Sequence, residues 1–109
     1  GRTMIITAMT PGSIVSVKLM SGEEVVGSFV KQDDKGVTLR KPLLAAMTQQ
    51  GPTLAPFMYT VDVMETSQEL TLNSTGVVAV TTTFKPFADA YTQATSGIAP
   101  ASSMPGLVK

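Results

Sequence analysis

Between Val15 and Leu39 the chain reads VSVKLMSGEEVVGSFVKQDDKGVTL, an alternation of apolar and polar residues broken by two short turns. Such alternation sends successive side chains to opposite faces and predicts half-buried strands. In the first strand, Ile14 to Met20, Val15, Val17 and Leu19 share one face while Ser16 and Lys18 take the other. Ser21-Gly22 supplies the positive φ that a tight hairpin needs. A second strand follows from about Glu23 to Lys31, with Val25, Gly27 and Phe29 on one face and Val26, Ser28 and Val30 on the other. Gly27 has no side chain to pack, so its position inside a strand predicts a sharp bend or a close backbone approach. Asp33 to Gly36 makes the next hairpin loop, and Val37-Thr38-Leu39 restarts the sheet. Three strands joined this tightly open a small, strongly bent β-barrel.

The pattern continues after an interruption at Arg40-Lys41-Pro42, where proline removes a ladder donor. Leu43 to Met47 resumes as strand, Gln49-Gln50-Gly51-Pro52 turns, and Phe57 to Met64 alternates as a further strand. Gln68 to Leu72 leads into Asn73-Ser74-Thr75-Gly76, then into the β-branched strand Val77 to Thr83. From Pro86 to Ser96 the spacing changes to helical, with Phe87, Ala90, Tyr91 and Ala94 on one face. Pro86 suits the first helical position and Gly97 the stop. The expected organisation is one domain over residues 1–97, with a barrel over 14–83, a helix packed over its open end, and a flexible tail over 98–109.

Composition narrows the chemistry. The 109 residues include no Cys and no His, which excludes thiol nucleophiles, imidazole acid-base work and Cys/His zinc sites. Eight basic and eight acidic residues cancel, without the basic excess usual in proteins that live on bulk phosphate. No basic residue stands between Lys41 and Lys85. Asp33-Asp34 is turn chemistry rather than an acid-base pair. Asn73-Ser74-Thr75 fits the glycosylation sequon without a secretory context, and the seven Met read as core filler. The segment from Met4 to Ala8 is too short for a signal peptide, and no apolar run reaches the roughly 20 residues that span a bilayer. The expectation is a cytoplasmic non-enzyme with neither cofactor nor metal.

Val15, Val17, Leu19, Gly22, Gly27, Phe29 and Asp33 stand in the register of the first motif of the Sm-like (LSm) family, which this chain resembles. Leu72-Asn73-Ser74-Thr75-Gly76-Val77-Val78 looks like the second motif of that family. Together these stretches cover about a third of the chain, residues 14–40 and 70–82. The resemblance implies an Sm-like fold: a strongly bent five-stranded antiparallel, SH3-like barrel, here with its helix after the barrel. It also implies a homo-oligomeric ring, pentamer to heptamer, closed by strand pairing between neighbours. Divergent short members occur among phage-encoded Sm-like proteins, which suggests a bacterial or phage-infected cytoplasm.

By the same resemblance, Asp33, Lys35, Gly36, Asn73, Ser74, Thr75 and Gly76 are the candidate RNA-binding residues. The loop departs from the family pattern. Lys35 falls near the position of the base-stacking residue and Gly36 near that of the base-reading Asn. Asn73 stands where an Arg is usual and Ser74 where Gly is usual. Weak, salt-dependent binding of single-stranded RNA is therefore one expectation. The alternative is an assembly or adaptor ring that kept the scaffold, lost RNA binding and docks a protein partner.

Overall fold

The computed structural model describes residues 9–62, 65 and 68–96. They form six antiparallel strands and one helix: β1 (Ile14–Leu19), β2 (Glu24–Asp33), β3 (Gly36–Thr48), β4 (Gly51–Pro56), β5 (Glu69–Asn73), β6 (Val77–Thr82) and α1 (Lys85–Thr95). A 3₁₀ turn, Ser74–Gly76, joins β5 to β6. The strands make one curled half-barrel in the order β4-β3-β2-β1-β6, with β5 also paired to β3.

The curl is built opposite Gly27. Val26 pairs with Leu43 and Ser28 with Arg40, so Gly27 alone faces both Lys41 and Pro42. Two residues against one is a bulge, which bends a strand and increases its twist. Lys41 takes the extra turn in the left-handed region, at φ 50°. A Cβ at position 27 would lie 2.9 Å from Leu39 Cδ1 and 3.3 Å from the Arg40 carbonyl oxygen, so only glycine leaves room for the bend. Arg40-Lys41-Pro42 thus kinks a single long strand and does not end it.

Curling separates two apolar layers. Val15, Val17, Val25, Phe29, Val37, Leu39 and Leu72 fill the concave side. On the other face, Val26 and Leu43 pack against Tyr91 of α1. The Tyr91 hydroxyl donates to the Lys41 carbonyl at 2.8 Å and leans on that of Arg40 at 3.2 Å, tying the helix to the kink. Lys41 Nζ returns a bond to the Thr95 carbonyl at 3.2 Å, placing a cation on the helix C-terminus.

Three expectations are corrected. The sheet has six strands rather than five: the turn expected over Gln49 to Pro52 is confined to Gln49-Gln50, and Gly51–Pro56 is a strand. Phe57 to Asp62 is not strand; Phe57 folds back onto the concave core, and residues 63–64 lie outside the described part. The buried face of α1 carries Tyr91 and Thr95, with Ala94 exposed, so the helix packs on β3 and β4 along a stripe rotated from the expected one. The tail 98–109, the stop at Gly97 and the segment from Met4 to Ala8 lie outside the described residues.

The outer edge of β3 is shared. Leu43 faces Pro56 of β4, while Arg40 faces Glu69 of β5, so β4 and β5 occupy successive stretches of the same edge. Beyond that, β5 pairs only with β3 and β6 only with β1. With β4 likewise paired only to β3, three strand edges stay open among the described residues.

Candidate nucleic-acid rim

The two loops singled out in the sequence meet in space. Asp34-Lys35 is a two-residue hairpin loop between the paired residues Asp33 and Gly36. Asp33 Oδ1 accepts from the backbone N–H groups of Lys35, at 2.9 Å, and Gly36, at 3.3 Å. These donors, that of Lys35 foremost, hold the Asp33 carboxyl below the usual carboxylate range, with Lys31 and Lys35 adding charge attraction. Gly36 pairs with Asn73 across the β3–β5 ladder, where a Cβ would collide with the Leu72 carbonyl oxygen.

Ser74 stitches the loops together. Its N–H donates to the Lys35 carbonyl at 2.8 Å, and its hydroxyl donates to that of Asp34 at 3.1 Å. Asn73 Oδ1 accepts from the Thr75 N–H at 2.9 Å and the Thr75 hydroxyl at 2.8 Å, closing the 3₁₀ turn as a side-chain cap. Gly76 accepts from the Met20 N–H at 2.9 Å, which brings the β1–β2 turn to the same rim. All seven candidate residues therefore share one end of the half-barrel.

Two grooves flank this rim. One, about 300 Å³, is lined by Gln32, Asp33, Ser74 and the β6 residues Val77 to Val80. The other, about 320 Å³, is more apolar and lies between Met20 and the Asn73–Gly76 turn. Sequence reasoning missed Gln32, Met20 and Val78. Met20 is 72% exposed and carried a usable signal, an apolar side chain continuing the polar set Ser16 and Lys18.

The arrangement offers polar contacts. No side chain is hydrogen-bonded to the Lys35 ammonium or to Asn73 Nδ2 among the described residues, so both can meet a ligand. Asp33 Oδ1 and Asn73 Oδ1 are spent on their own turns. Among the described residues no three Asp or Glu side chains converge as a metal ion would require. No described helix is long and apolar enough to cross a membrane. No protein-family model matches the chain, and no curated protein matches it.

Proposed function

We propose that this chain is a divergent Sm-like protein that assembles into a homo-oligomeric ring and binds single-stranded RNA at the rim. The observation that carries the reading is the hydrogen-bonded union of Asp33–Gly36 with Asn73–Gly76, two loops far apart in sequence, together with the open edges of β5 and β6. Pairing the open edge of β5 in one copy with that of β6 in the next would satisfy both and close a ring. Each copy would then present one Lys35 ammonium for a phosphate and one Asn73 amide for a base or ribose. Single contacts of this kind are weak, and repetition round a ring multiplies them.

The rim also argues for restraint in affinity. Asp33 and Asp34 balance Lys31 and Lys35, and no aromatic ring stands in the loop to stack a base. Binding should be strongly salt-dependent, with each lysine–phosphate contact contributing a slope of about −0.7 in log K against log salt. Anisotropy of labelled oligo-U and oligo-A, at low and physiological salt, tests this directly. Saturable binding that disappears in Lys35→Ala is the expected result. Absence of binding by the wild type even at low salt would retire the RNA reading. It would leave the adaptor ring, which the commitment of Asp33 and Asn73 oxygens to turn geometry favours.

A further inference from the structure

Beyond the kink, β3 and β4 pair over Leu43–Thr48 and Gly51–Pro56; β2 flanks β3 as far as Ala45, and from there Ala46–Thr48 and Gly51–Thr53 run on as a two-stranded arm. The pairing Ala45 with Leu54 places residues 43, 45, 47, 52, 54 and 56 on one face, against which α1 packs. Leu44, Ala46, Thr48, Thr53 and Ala55 make the opposite face. Nothing described covers it: Ala46, Thr48, Thr53 and Ala55 are all exposed. Because Leu44 pairs with Val25, this face continues the concave apolar surface outward from the core. A two-stranded ribbon is marginal in water unless its faces are packed, so a naked face on such a ribbon calls for a partner.

Charge says which partner. No Asp, Glu, Lys or Arg stands between Lys41 and Asp62, the longest uncharged run in the chain. On a two-fold interface, residues near the axis meet their own copies, so any charge there would face its like. A charge-free, small-residue face is what self-contact requires. Face-to-face approach is also favoured over edge growth. The closing pair Thr48–Gly51 sends the N–H groups of residues 51, 53 and 55 toward β3, so Pro52 and Pro56 occupy the outward positions and leave that edge short of donors.

We propose that the naked face of the β3–β4 arm is a two-fold contact between copies of this chain, joining arm to arm. The face measures about 20 Å by 10 Å, or about 200 Å² per copy, on strand dimensions. That falls well short of the roughly 800 Å² per partner of a stable interface. One arm contact is therefore weak, and it becomes strong only when a ring repeats it, so that arms couple two rings. This last step rests on the ring reading; the arm contact itself does not.

Sedimentation of the full chain over a wide concentration range separates the possibilities. The wild type is expected at twice the ring mass, and Ala46→Glu and Ala46→Lys each at half the wild-type mass. Mixing these two variants restores the full mass, because Glu then faces Lys across the two-fold axis. Thr82→Pro removes an N–H that points away from β1, since Thr83 donates to Ile14 on the β1 side. It should break rings while leaving arm-paired dimers. If the wild type is a monomer–dimer mixture that Ala46→Glu makes monomeric, the arm contact stands and the ring reading falls. If Ala46→Glu leaves the mass of the wild type unchanged at every concentration, the arm proposal is overturned.

Discussion

Replacing Tyr91 by Phe removes one oxygen and leaves the ring in place, so it isolates the bond that ties α1 to the kink. Tyr91 is 3% exposed, and its hydroxyl serves the carbonyls of Lys41 and Arg40. Without it, at least one carbonyl loses its partner in a part-buried site, at a cost of about 1–3 kcal/mol. For a domain of this size that lowers Tm by about 4–20 °C. Burial pushes the Tyr91 phenol up to about 12, against 10.0 for the free side chain. Between those values the unfolded chain gives up its proton while the folded chain keeps it, so stability falls as pH rises from 10 to 12. Urea titrations of both proteins at pH 7 and through the alkaline range read these quantities. The wild type should be the more stable at neutral pH, and its advantage over Tyr91→Phe should shrink above pH 10. Equal stability at pH 7, or a gap that stays constant into the alkaline range, would refute the hydroxyl's role at the kink.

Two further substitutions probe the rim. Gly36→Ala sets a methyl against the Leu72 carbonyl at φ 153°, forcing β3 and β5 apart; a loss of about 3 kcal/mol or more should appear in thermal melts. Asn73→Ala deletes the cap on the 3₁₀ turn and should cost about 1 kcal/mol, whereas Asn73→Asp keeps the accepting oxygen and most of the stability. Because Asp lacks the amide donor, Asn73→Asp should nonetheless weaken RNA binding in the anisotropy assay.

The opening meander was legible because each of its signals acts locally: alternation sets the faces, Gly22 the hairpin, and Gly27 the bend. The rim was legible for a different reason. Turn residues such as Asp33 and Asn73 are chosen by their own backbone, whatever they later bind. What failed depended on distant partners. Phe57 to Met64 alternates like a strand, but the free edge of β3 is already taken by β4 and β5, and Phe57 gains more by entering the core. Gly51-Pro52 reads as the end of the turn that starts at Gln49 because proline normally ends strands; at an outward edge position of β4 its missing N–H costs nothing. On α1, Thr95 is buried in spite of its hydroxyl, which bonds the Tyr91 carbonyl at 2.7 Å, and Ala94 is left facing solvent.

The pairing of β1 with β6 joins the first and last described strands of the chain, Val15 against Thr82. Every other strand finds its neighbour through a hairpin or, for β5, through β3, so β6 must close the longest loop and should dock last. Until it does, the edge of β1 stands unpaired, and the segment carrying β6 and α1 is free to dock on the β1 of another chain. The same last strand would thus govern both the completion of a monomer and the exchange of segments between copies. Growth temperature and protein concentration during refolding should therefore set how much of the protein ends as swapped assemblies.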